Sequence, residues 1–135
     1  MNSNRAAQVT HFLLRVVTGL LFMQHGAQKL FGWFGGFGGP GGTAPLMSQF
    51  GLAGVLECFG GLAIVLGLGT RPVAFLLSGE MAVAYFQAHA PNGFWPIQNH
   101  GEPPVLFSFI FLFLAAHGAG AWSLDALIGR PKARL

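Results

Sequence analysis

Four apolar stretches follow one another along the chain, separated by a tight turn or by long polar and glycine-rich connections. They cover residues 12–31, 52–68, 73–89 and 105–122. Each is close to the roughly 20 residues that an α-helix needs to cross the hydrocarbon of a bilayer. The pattern therefore predicts an all-α, multi-pass membrane protein, a bundle of four transmembrane helices that forms a single domain over residues 1–135.

The first apolar stretch carries polar and charged residues that an ordinary membrane anchor lacks. At helical spacing, one stripe of this helix collects Arg15, Thr18, Phe22, His25 and Lys29, with Gln28 beside it. A charged side chain in hydrocarbon costs about 3 kcal/mol or more, so it normally faces protein partners or a water-filled cavity. We therefore expect the other helices to supply partners for this stripe.

Glu57 in the second stretch is the first expected partner. On antiparallel helices it lies at the same depth as His25, near the outer end of the span. Gly54 and Gly61 share its face and permit a close approach of the two helices. These positions predict an outer polar layer of His25, Lys29 and Glu57. Two alternatives stay open: an ion pair that only fixes helix register, and a Lys29 side chain that extends to the membrane surface.

Glu80 in the third stretch lies near the middle of the bilayer. Desolvation disfavours a charged carboxylate at that depth unless a cation is near. Arg15 enters from the opposite side on the first helix, so we predict a deeper polar layer of Arg15 and Glu80. Gln87 lies two turns beyond Glu80 on the same face and extends this polar line toward the outer mouth, where His89 also lies.

The net charge of +3 is distributed as in a membrane protein. The basic residues outside the apolar stretches are Arg5, Arg71, Arg130, Lys132 and Arg134. All five lie on one side of the predicted bundle, and the connections 32–51 and 90–104 on the other side contain no lysine or arginine. Both termini are therefore expected in the cytoplasm, with anionic lipid rather than nucleic acid as the partner of these charges.

Few cofactors fit the remaining residues. Cys58 is the only cysteine, which excludes an intrachain disulfide and a dithiol motif. The GxGxxG spacing at residues 36–41 follows no strand, so dinucleotide binding is rejected. His25 and His89 share a depth on different helices, but a haem between them is disfavoured because it needs flanking space and supporting partners. No metal site is predicted.

Three stretches resemble the DoxX family of small four-helix membrane proteins: LLFMQHGAQKLFG, VLECFGGLAIVLGLGTR and GAGAWSLD. Ala119 and Ala121 depart from the pattern, which commonly has a proline and a basic residue there. The resemblance implies a four-helix fold in the bacterial plasma (inner) membrane. Relatives include membrane subunits linked to quinone-dependent oxidation, such as thiosulfate:quinone oxidoreductase, and a mycobacterial protein linked to thiol and oxidative-stress partners.

Two functions agree with these features. In the first, the protein is the quinone-interacting or membrane-anchoring subunit of an oxidoreductase. A quinone pocket would then contain His25, Gln28, Lys29 and Arg15, and a proton relay would use Glu57, Glu80 and His25. In the second, the protein is a non-catalytic scaffold or assembly factor that recruits a redox or stress-response partner. Whether the chain is itself an enzyme, and whether it forms an oligomer, stays open; solute transport is disfavoured because no internal repeat is detectable.

Overall fold

The structure, a computed structural model, describes residues 2–129. Its four long helices are Ser3–Phe31, Gln49–Leu66, Thr70–Ala84 and Glu102–His117, named here the first to fourth helix. One π-helical turn, Leu56–Gly60, lies within the second helix, and another, Tyr85–His89, continues the third. Short helical segments are Ala90–Asn92, Pro96–Asn99 and Leu124–Ile128. No strand occurs between residues 2 and 129, so the predicted all-α class is confirmed.

The first and second helices begin earlier than their apolar stretches, and polar residues cap them. Asn2 accepts a hydrogen bond from the Arg5 N–H at 3.0 Å, and Ser48 accepts one from the Gly51 N–H at 3.1 Å. The fourth helix ends at His117 rather than at the predicted residue 122. The chain leaves the helix there through Gly118, whose φ of +81° favours glycine.

Of the described helices, Ser3–Phe31 and Gln49–Leu66 are long and apolar enough to cross a membrane. Glu102–His117 is shorter but also apolar. The basic residues Arg130, Lys132 and Arg134 lie outside the described residues. The cytoplasmic placement of both termini stays a prediction.

The first and second helices approach closely through glycines. A Cβ at Gly26 would lie 2.3 Å from the backbone nitrogen of Cys58 and 2.7 Å from the carbonyl oxygen of Gly54. A Cβ at Gly61 would lie 3.0 Å from the carbonyl oxygen of Gly19. Backbone therefore faces backbone along this interface, as the positions of Gly54 and Gly61 predicted.

Gly26→Ala is expected to destabilise the protein by about 2–3 kcal/mol, because the two helices must separate to admit the methyl group. Gly79→Ala in the third helix is the matched control, since a Cβ there has nothing within 4 Å. The control should keep or slightly raise the stability, because alanine is the better helix former. Thermal unfolding of both variants in detergent tests the difference. Equal melting temperatures would contradict the close backbone contact.

The third and fourth helices form a second pair, joined by reciprocal hydrogen bonds. The Ser78 hydroxyl donates to the Ser108 carbonyl at 2.8 Å, and the Ser108 hydroxyl donates to the Ser78 carbonyl at 3.0 Å. The core shared by the two helix pairs contains the fully buried side chains of Phe22, Ile64, Leu77, Phe111 and Leu114. The two pairs meet in this core and leave a groove between the second and third helices.

Candidate functional site

The groove between the second and third helices has a volume of about 1050 Å³. Most of its lining is apolar and includes Leu52, Leu56, Phe75, Leu76, Val83 and Ala84. Three charged or ionisable side chains, Lys29, Glu57 and Glu80, lie in its wall. An apolar cavity with a few polar groups is the usual form of a site for a small molecule.

Lys29 and Glu57 form a buried ion pair in this wall. The Lys29 ammonium donates to both carboxylate oxygens of Glu57, at 2.7 Å to Oε1 and 2.6 Å to Oε2. The side chains are 15% and 4% exposed. Glu57 lies in the π-helical turn Leu56–Gly60, a type of turn that is frequent at functional sites. This contact joins the first and second helices at the depth where the sequence predicted it.

Glu80 lies in the same groove without a cationic partner. Both of its carboxylate oxygens are buried, and neither has a hydrogen-bond partner anywhere in residues 2–129. The predicted pairing of Glu80 with Arg15 is therefore wrong. A buried polar atom without a partner is uncommon in proteins and calls for an explanation.

Arg15 instead caps the second helix at the end of the molecule opposite Lys29. Its guanidinium donates to the carbonyl oxygens of Ile64 at 2.7 Å, Val65 at 2.6 Å and Trp122 at 2.6 Å. The Val65 carbonyl lies in the last helical turn, where carbonyls lack an intrahelical N–H donor. The Ile64 carbonyl also accepts from the Gly67 N–H at 3.1 Å. Arg15 is 1% exposed and does not line the groove. Its place in a quinone pocket stays a prediction.

Asp125 lies next to these Arg15 contacts, and together they form what is named here the Arg15–Asp125 junction. Its carboxylate accepts from the N–H groups of Gly69 at 2.7 Å and Thr70 at 2.9 Å, at the start of the third helix. Desolvation alone would raise the pKa of Asp125, but these two hydrogen bonds, with the nearby Arg15 charge, hold it below its ordinary value. Gly67 fits here only without a side chain, because a Cβ would lie 2.8 Å from Nη1 of Arg15. The junction therefore fixes the turn between the second and third helices.

The remaining predicted site residues lie outside the groove. His25 is exposed beside Phe107 of the fourth helix, with the ring centroids 6.2 Å apart. Gln28 donates a long hydrogen bond of 3.4 Å to the Phe34 carbonyl in the following loop. Glu57 binds Lys29 and not His25, so the expected contact of His25 with Glu57 is wrong. The roles of His25 and Gln28 in a quinone pocket stay predictions. His25 lies on a face of the first helix that is turned toward the fourth helix, so its side chain does not reach Glu57 on the second.

Two glutamines close one end of the groove. The Gln49 amide donates to the side-chain oxygen of Gln87, which joins the start of the second helix to the π-helical turn after the third. The sequence placed Gln87 on the polar line but did not single out Gln49. A polar residue next to Ser48, the cap of the second helix, was the available signal.

Comparison with known proteins agrees with this architecture. The DoxX family model matches residues 10–90, more than half of the chain. The chain belongs to the DoxX family. Like its DoxX relatives it is a membrane protein. No solved structure matches it.

Three relatives illustrate the range of the family. A Haemophilus influenzae protein without an assigned function is 42% identical over 83% of this DoxX chain and 85% of its own length. The inner membrane protein YqjF of Escherichia coli is 31% identical over 86% of this chain and 89% of its own. CatD of Bacillus subtilis, provisionally named an oxidoreductase, is 27% identical over 96% of this chain and 94% of its own.

Proposed function

We propose that this protein binds a membrane quinone in the groove between the second and third helices. It would act as the quinone-interacting or anchoring subunit of an oxidoreductase system in the bacterial inner membrane. In this proposal the four long helices cross the membrane and both termini lie in the cytoplasm. The observation that carries the proposal is one groove that combines a long apolar lining with a small polar group at Lys29, Glu57 and Glu80.

The dimensions and chemistry of the groove support a quinone. A quinone needs apolar walls for its ring and isoprenoid tail and a few polar groups for its carbonyl oxygens. The groove volume of about 1050 Å³ is ample for a substituted ring with the first part of a tail. Lys29 has three N–H donors, and Glu57 accepts from two of them at most, so one donor stays available to a carbonyl oxygen.

The names of the relatives lend limited further support. CatD is provisionally named an oxidoreductase. The groove residues Gln49 to Ala88 all fall within the segment that the DoxX family model matches. If members of the family have a redox role, the groove lies in the segment that this protein has in common with them.

Gly79→Phe is expected to block quinone binding, because its side chain would enter the groove where a Cβ meets open space. The purified protein should bind a ubiquinone analogue with a decyl tail, and the variant should bind it at least about tenfold more weakly. Leu106→Phe, at an exposed position of the fourth helix, is the control and should bind normally. Binding is measured by quenching of tryptophan fluorescence in detergent micelles. Failure of the unmodified protein to bind the analogue would overturn the proposal.

A scaffold that recruits a partner is the second candidate, favoured by the loop after the third helix. Phe94, Trp95 and Ile97 are 80%, 60% and 75% exposed there. Gentle purification from native membranes followed by mass spectrometry separates the two roles. A partner protein that copurifies in the absence of any quinone would favour the scaffold.

A further inference from the structure

Glu80 is a buried acceptor in the groove that the described residues leave unused. Both oxygens of Glu57 accept from Lys29, and the side-chain oxygen of Gln87 accepts from Gln49. The two oxygens of Glu80 are buried and have no hydrogen-bond partner within the described chain. A buried polar atom normally has a partner, and a ligand that donates a hydrogen bond to Glu80 would supply one.

We infer that Glu80 recognises the head group of the ligand and selects the reduced hydroquinone over the oxidised quinone. This inference rests on the quinone function proposed above and assigns its specificity to one residue. Lys29 and Glu57 join the first and second helices and position the wall of the groove, and a donor from Lys29 serves both forms of the head group alike.

Counting hydrogen bonds gives the preference for the reduced form. A phenolic hydroxyl donates one hydrogen bond and accepts others, whereas a quinone carbonyl only accepts. An ionised Glu80 would accept from the hydroxyl and make no hydrogen bond with the carbonyl. A neutral Glu80 would both accept from and donate to the hydroxyl, and would donate once to the carbonyl. In either state the reduced head group makes one hydrogen bond more.

The apolar surroundings increase the effect of that one bond. Glu80 shares the groove with Phe75, Leu76 and Val83, so little water competes for its oxygens. A buried acceptor without a partner is costly, and a ligand that satisfies it recovers that cost on binding.

The test titrates the purified protein anaerobically with the decyl ubiquinone analogue and, separately, with its reduced form. The reduced form should bind about tenfold more tightly to the unmodified protein. In Glu80→Met, which has a similar volume and no comparable acceptor, the two affinities should become equal. Glu80→Gln keeps a carbonyl acceptor and should keep the preference. Glu102→Met makes the same change at an exposed acid outside the groove and should leave both affinities unchanged.

The outcomes separate this inference from the function on which it rests. If both forms bind and Glu80→Met leaves their ratio unchanged, the role of Glu80 is overturned while quinone binding stands. If neither form binds the unmodified protein, both proposals fail. Size-exclusion chromatography of each variant shows whether it is folded. If Glu80→Met does not fold, Glu80→Asp takes its place. The inference is then overturned if the unmodified protein and Glu80→Asp each bind the reduced and the oxidised form with equal affinity.

Discussion

Arg15→Met is expected to lose about 3 kcal/mol of stability or more, the largest effect of any single change outside the groove. The variant leaves the carbonyl oxygens of Val65 and Trp122 without their donor and removes one of the two donors to Ile64. A buried acceptor without a partner is more costly than the net gain from an ordinary hydrogen bond. Thermal unfolding in detergent, together with the yield of monodisperse protein, measures the loss.

Arg15→Lys separates the charge from the shape of the side chain. An ammonium group keeps the charge but lacks the planar fork that contacts three carbonyls at once, so this variant should also be clearly destabilised. Arg5→Met removes an exposed arginine on the same helix and should unfold like the unmodified protein. An Arg15→Met protein as stable as Arg5→Met would show that the junction does not hold the helices together.

Lys29→Met is expected to lose about 3–5 kcal/mol, because it leaves the buried carboxylate of Glu57 without a cation. The double variant Lys29→Met/Glu57→Met should recover most of that loss, since no uncompensated charge remains. Glu57→Met alone should be destabilising because it leaves the ammonium without its partner. Unfolding of the two single variants and the double variant forms a cycle that isolates the interaction between the side chains.

The cycle also tests how the pair relates to binding. Losses that add in the double variant would show that the two side chains do not interact. A double variant that folds normally and still binds the reduced quinone would agree with the assignment of recognition to Glu80. A stable double variant without any quinone binding would place recognition in the ion pair instead.

The sequence predicted the fold class and much of one helix interface. The polar stripe of the first helix did identify a buried face, since Arg15, Thr18 and Phe22 are all buried. Gly54 and Glu57 on the second helix indicated where that helix would meet it. These predictions succeeded because helical periodicity and glycine size determine which faces can approach.

The partners of single charges were harder to predict. Arg15 was expected to pair with Glu80, yet it binds backbone carbonyls, which every residue carries. Gly67 and Gly69 were the available signal, because glycines after an apolar run indicate a helix end with unsatisfied carbonyls nearby. A long arginine at the same depth is a natural donor to such an end. His25 was misplaced by a smaller error, a rotation of the helix that periodicity alone does not resolve.

The exposed edges of the groove have a consequence for how a ligand arrives. Leu52, Phe75 and Leu76 line it and are more than half exposed on the outer surface of the bundle, which in a membrane protein contacts acyl chains. A hydrophobic molecule dissolved in the lipid can slide in sideways, head first, while its tail stays among its neighbours. Occupancy would then follow how much of that molecule the bilayer holds, not how much dissolves in water.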